Sequence, residues 1–129
     1  VKHRGIGTAE LQKLVYKRLS EAGVKVLDEV AENTKFPFVT IGETRSEDGG
    51  IKREASSYII EELDIWSRAE GFKEIKEIAD DIAEALRGNY PHDDWQFEFL
   101  GISDFETARL DDGITRHGAI KAEFLIFEK

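Results

Sequence analysis

Leu11, Leu14, Val15 and Leu19 recur at helical spacing, the pattern of a helix with one face against a core. Thr8 stands where a cap is expected and Gly23 where the helix should end. The period then shortens to two. Val24, Val26 and Val30 mark a short strand, and Phe36 to Gly42 a second, with Pro37 at its start where no ladder donor is needed. Tyr58 to Trp66 reads as a third strand with Ile59, Leu63 and Ile65 on one face; Glu61 shares that face and breaks the alternation. The clearest element comes next. Phe72, Ile75, Ile78, Ala79, Ile82, Ala83 and Leu86 form an apolar stripe, charged residues cover the rest, and Gly88-Asn89-Tyr90-Pro91 ends the helix. Ser67 to Glu70 matches a capping box, but Gly71 would then lie inside the first turn. A start near Gly71 fits better.

The last third is β. Trp95, Phe97 and Phe99 alternate, a second run covers Phe105 to Leu110, and Thr115 to Phe127 returns with Ile120, Ala122, Phe124 and Ile126 on one face. Asp111-Asp112-Gly113 between them is a tight-turn signature. Residues 43–57 are polar, aperiodic and contain Gly49-Gly50. They are expected to be a long mobile loop at the tip of a hairpin. The fold class is therefore α+β: two helices packed on a mainly antiparallel or mixed β-sheet, in the order α-β-β-β-α-β-β-β.

Length bounds this picture to a single domain spanning residues 1–129. Leu, Ile, Val and Phe make up 36 of the 129 residues, enough for a core and above the level at which disorder is expected. Apolar stretches are far too short to cross a bilayer, no charged-then-apolar leader is visible, and no membrane partner is expected. The absence of cysteine removes disulfides, thiolate nucleophiles and cysteine-based zinc sites together. The net charge of −9 is uneven: residues 1–25 hold six basic and two acidic side chains, a balance of +4, which leaves −13 for the remainder. Such an acidic body repels a phosphate backbone, so general nucleic-acid binding is disfavoured.

Catalytic and cofactor chemistry finds little support. His3, His92 and His117 have no metal-ligand spacing, and His3 and His92 read as solvated surface residues. His117 follows the Asp-Asp-Gly turn beside Arg116, the one local cluster of catalytic-type residues. Asp80-Asp81, Asp93-Asp94 and Asp111-Asp112 are adjacent pairs whose side chains diverge, unlike convergent metal ligands. No phosphate-binding glycine motif occurs; Gly5-Ile6-Gly7 lacks a preceding strand and a third glycine. Neither a catalytic residue, a metal nor a cofactor is assigned. Trp66 lies opposite Leu63 and Ile65 on its strand, beside Arg68, and is the first candidate for a partner-facing aromatic.

Four segments carry a resemblance. They are Leu11-Gln12-Lys13-Leu14-Val15-Tyr16-Lys17-Arg18-Leu19, Phe36-Pro37-Phe38-Val39-Thr40-Ile41-Gly42, Trp66-Ser67-Arg68-Ala69-Glu70-Gly71 with its helix, and Asp112-Gly113-Ile114-Thr115-Arg116-His117-Gly118. Their ordered set resembles the tail completion, or tail terminator, proteins of long-tailed bacteriophages and prophages, over roughly residues 9–128. The resemblance implies a structural virion protein at the head–tail interface, assembled in the host bacterial cytoplasm. It implies a ring of identical subunits, typically hexameric, that caps the tail tube protein, stops polymerisation and meets the head–tail connector protein. DNA would pass the lumen without specific binding. Arg45, Lys52 and Arg53 are expected to contact a neighbour or the tail tube, with Trp66, Arg68, Arg116 and His117 as further interface candidates. Another connector or tube subunit, a cellular ligand-binding or regulatory module, and an enzyme using His117 and Asp112 stay open.

Overall fold

The computed structural model describes residues 5–50 and 56–129. The first amphipathic stretch forms α1 (Thr8–Glu21), with Leu11, Val15 and Leu19 fully buried. Thr8 lies inside this helix. Its N-cap is Gly7, in the left-handed region at φ 80° with no side-chain cap. A Cβ at Gly7 would stand 3.1 Å from the side chains of Trp95 and Ile126, so close packing selects glycine there. At the other end Gly23 adopts φ 85°. Val24 N–H donates to the Leu19 carbonyl at 2.9 Å and Gly23 N–H to that of Ser20 at 3.1 Å, the paired bonds of a Schellman stop.

β1 is only Val26–Leu27, and Val30 is exposed, so the Val24–Val30 strand is much shorter than its spacing predicts. β2 runs Phe38–Asp48 and β3 Ser56–Ser67. After α2 (Lys73–Leu86) come β4 (Trp95–Arg109) and β5 (Arg116–Glu128). The five strands form one sheet in the order β1-β2-β3-β5-β4. β1 pairs parallel with β2, and the other pairs are antiparallel. This is the expected single α+β domain in one mixed sheet.

Two features depart from the sequence expectation. Residues 43–48 and 56–57, predicted as loop, are a β-ribbon in which Arg45 faces Ile60, Glu47 faces Tyr58 and Asp48 faces Ser57. Thr44 to Asp48 are all exposed. A strand buried on neither face has no hydrophobic period; its ladder with β3 and the Thr44–Glu61 bond hold it instead. The two runs expected in the last third are one strand, β4. Its register with β5 slips between Phe99 and Gly101 and between Ile102 and Asp104. Each bulge inserts a residue and resets the alternation, which breaks the apolar series after 99.

One face of the sheet carries the core. Ile59, Leu63 and Ile65 of β3 join Ile120, Ala122, Phe124 and Ile126 of β5, all at most 1% exposed. Ile75, Ile82 and Leu86 of α2 pack onto them. α2 sits so close to β5 that a Cβ on Gly118 would lie 2.5 Å from Ile75 Cγ2. Glu61 belongs to this same face and is 2% exposed. Thr44 Oγ1 donates to its Oε2, while Oε1 has no partner among the described residues. Burial lifts the carboxyl pKa to about 7, against the Thr44 bond, which lowers it.

Gly118→Ala is expected to cost about 1–3 kcal/mol, because β-branched Ile75 must leave its rotamer to admit a methyl. Urea unfolding would show a lower midpoint at unchanged slope; an unchanged midpoint would refute the close packing. Glu61 generates a pH dependence. Its folded pKa lies above the ordinary carboxylate value, so the stability it contributes is fully present below about pH 4.5 and is lost as pH rises through 7. Glu61→Gln keeps the neutral shape. It should match the native protein near pH 4.5 and exceed it by about 2–3 kcal/mol at pH 8. Parallel stability profiles from pH 4.5 to 8 would show that Glu61 ionises normally in the fold.

Candidate interface

β-strand parity sends every second residue to the face opposite the helices. On β3 these are Tyr58, Ile60, Glu62, Asp64 and Trp66, and on β5 they include His117, Ala119, Lys121, Glu123, Leu125 and Phe127. The outer strands add Glu98, Asp104 and Glu106 from β4 and Arg45 and Glu47 from β2. No helix covers this surface among the described residues, and carboxylates dominate it. Burial and the neighbouring Asp64 and Glu43 raise the pKa of Glu62. Gly42 gives these acids room, since a Cβ there would come within 2.6 Å of Asp64 Oδ2.

At one end of the face three sequence-selected residues converge. Trp66 and His117 are direct cross-strand partners, and their rings stack with centroids 4.4 Å apart. His117 Nε2 lies 2.7 Å from Asp64 Oδ1, and Trp66 Nε1 donates to Thr40 Oγ1 at 3.1 Å. Both rings are half-buried, so much of this aromatic surface is committed inside the subunit. Beside it, Arg68 is exposed, its guanidinium 4.3 Å from the Phe36 ring centre. Arg68 Nε also donates to Thr115 Oγ1 at 3.2 Å. Asp112 organises the adjoining turn: its Oδ1 accepts from Ile114 N–H and Thr115 N–H, and its Oδ2 from the Thr115 hydroxyl. The Thr115 hydroxyl and these amides hold the Asp112 pKa down at about 2.

The remaining candidates are scattered. Arg116 is 9% exposed; it donates to the Ile114 carbonyl at 2.7 Å and lies over the Phe72 ring. Arg45 is exposed and pairs with Glu47 at 2.6 Å. Lys52, Arg53 and His3 lie outside the described residues. His92 is not a solvated side chain. It is half-buried against Phe97, accepts at Nδ1 from Asp94 N–H, and so carries its proton on Nε2 toward Glu10, 3.3 Å away. His117 is paired with Asp64, while both Asp112 oxygens serve the turn, so the His117–Asp112 enzyme reading has no geometry to stand on. Among the described residues, no group of three or more His, Asp or Glu is placed to hold a metal ion.

Sequence reasoning singled out Trp66 and His117 but missed Asp64 and Thr40, which lock them. The available signal was parity, since Asp64 and Trp66 are two apart on one strand and share a face.

A model of the tail completion protein gp17 family matches residues 7–126. No curated protein sequence matches significantly. Among solved structures, the fold is similar to that of a protein in the virion of a native gene transfer agent particle. The TM-score is 0.73 and the identity 19%, over 92% of this chain and 95% of that one. It is also similar to the gp17 protein of bacteriophage SPP1, with a TM-score of 0.53 and 20% identity, over 98% of this chain and 96% of that one.

If Trp66 and His117 stabilise each other, the pair should show a coupling energy of about 0.5–1.5 kcal/mol in a double-mutant cycle. Urea unfolding of Trp66→Ala, His117→Ala and the double variant measures it. Strict additivity would mean that the stacked rings are mere neighbours.

Proposed function

The chain belongs to the tail completion protein gp17 family, structural proteins of phage tails, and on that premise we propose that it caps the tail tube. In this reading identical subunits close into a ring, six-fold by family resemblance, on the last ring of the tube. The next tube subunit then cannot add, and the opposite side of the ring presents a surface to the head–tail connector. The observation that carries the reading is the family match from residue 7 to residue 126.

The geometry supports it in one further respect. A subunit whose two helices cover one side of its sheet leaves the other side free to line a lumen. That side bears Glu47, Glu62, Asp64, Glu98, Asp104, Glu106 and Glu123 against Arg45 and Lys121. A wall so charged repels phosphate and lets DNA pass without adhering. Arg45 and Arg68, both exposed, are the described candidates for contacts with a neighbour or with the tube; Trp66, His117 and Arg116 would act mainly by shaping the surface around them. The Arg45 arm is a pre-formed ribbon, so docking through it needs little ordering of residues 44–48.

Electron microscopy of particles made with this gene interrupted by a stop codon tests the proposal. Overlong or ragged tails, with filled heads left unjoined, are expected. Tails of normal length on intact particles would overturn it.

A further inference from the structure

Both sides of the sheet end in unpaired strand. On one side β1 covers only Val39 and Thr40 of β2, so Ile41 to Asp48 have no outer partner among the described residues. On the other, β4 meets a single isolated bridge, Tyr90 with Phe97, and its outer edge is unpaired from Glu98 to Arg109 among the described residues. A row of free N–H and C=O groups of this length templates further pairing unless it is blocked. Proline and lysine are absent from both strands, and the charges these strands carry are of both signs, Arg45, Glu47 and Asp48 on β2 and Asp104, Glu106 and Arg109 on β4. The two bulges of β4 bend it near Leu100 and Ser103 but leave residues 104–109 in regular register. Exposed apolar side chains gather on the same strand and at its end: Leu100 is 48% exposed, and Phe105 and Leu110 are 36% exposed.

We propose that the outer edge of β2 in one subunit pairs with the outer edge of β4 in a second copy of this chain. The inference rests on the ring reading and names the contact that would close the ring. Strand direction favours it. β2 is antiparallel to β3, β3 to β5 and β5 to β4, so β2 and β4 run in opposite directions. Copies placed side by side about an axis along the strands therefore bring β4 against β2 in the antiparallel sense, the more stable ladder. A single such head-to-tail operation, repeated until it closes, pairs both edges of every subunit. Like-with-like contact would need two different two-fold operations and would give a ring with two equivalent sides, unlike a cap that meets the tube on one side and the head on the other. Edge pairing also keeps the acidic faces of adjacent sheets on one continuous surface. Arg45, on the β2 edge, would then sit beside the Asp104 and Glu106 side of β4.

Cysteine cross-linking in assembled particles tests the contact, because the chain has no cysteine of its own. Ser46 and Thr107 are exposed, lie on the two edges and share a sheet face. A thiol-to-thiol linker reaching about 10 Å spans three residue steps, so the exact register need not be known. The double variant Ser46→Cys, Thr107→Cys should give a ladder of covalent multimers ending at the closed ring. Each single variant should remain monomeric after treatment. A second pair on the other face, Glu47→Cys with Glu106→Cys, serves if the first variant does not assemble. Absence of a ladder in particles with normal tails, or dimers from either single variant, overturns the edge pairing while leaving the cap reading intact. Normal tails in the stop-codon particles would instead remove the cap reading, whatever the cross-links show.

Discussion

The pairing of β3 with β5 is the constraint from which the rest of the molecule follows. These strands run in unbroken register from Ser56 against Phe127 to Ser67 against Arg116. Because the register puts the odd positions of β3 opposite the even positions of β5, Ile59, Leu63 and Ile65 join Ile120, Phe124 and Ile126 in one continuous apolar layer. Burying such a side chain contributes roughly 1.5–3 kcal/mol relative to exposure, and a slip of one residue would turn every one of them to water. The register is therefore strongly specified, and it seats the helices: α2 approaches where Gly118 leaves room, and α1 enters where Gly7 clears Trp95 and Ile126.

Covering one face of β3 and β5 leaves the other to polar and aromatic side chains, and those define what the surface offers. The open face offers breadth, negative charge and a rigid platform near Trp66, His117 and Asp64. A surface of that kind suits contact with other copies or passage of a charged polymer better than transformation of a small molecule, in keeping with membership of a structural tail family. The same economy of covering elements leaves strand edges bare at both sides of the sheet among the described residues.

Polar residues inside or beside the core show which local rules the fold overrides. Glu61 occupies an apolar position, and among the described residues Thr44 alone answers it. A buried carboxyl with one bonded oxygen is tolerated because it can hold its proton near neutrality, which avoids burying a charge. Arg116 is handled differently: its guanidinium reaches a backbone carbonyl and an aromatic face instead of a carboxylate. His92 and Asp112 are both turn organisers, reaching backbone N–H groups that a bend would otherwise leave without partners.

The sequence by itself determined the elements whose burial is one-sided. The stripe Ile75-Ile82-Leu86 and the alternation of Ile120 to Ile126 appear as periods because one face of each meets the core and the other meets water. It also exposed Glu61 as a fault in its strand's pattern, and that fault is a real buried carboxyl. Where burial did not alternate, no period existed to read: the ribbon at residues 44–48 is exposed on both faces, and β4 changes parity twice at its bulges. Only the tertiary structure decided that His117 pairs with Asp64 and not with Asp112, that Gly7 replaces Thr8 as a cap, and which two strand edges lack a partner among the described residues. Each of these depends on distances between segments far apart in the chain, set by the β3–β5 register and the seating of helices on it, and no local pattern of residues carries that information.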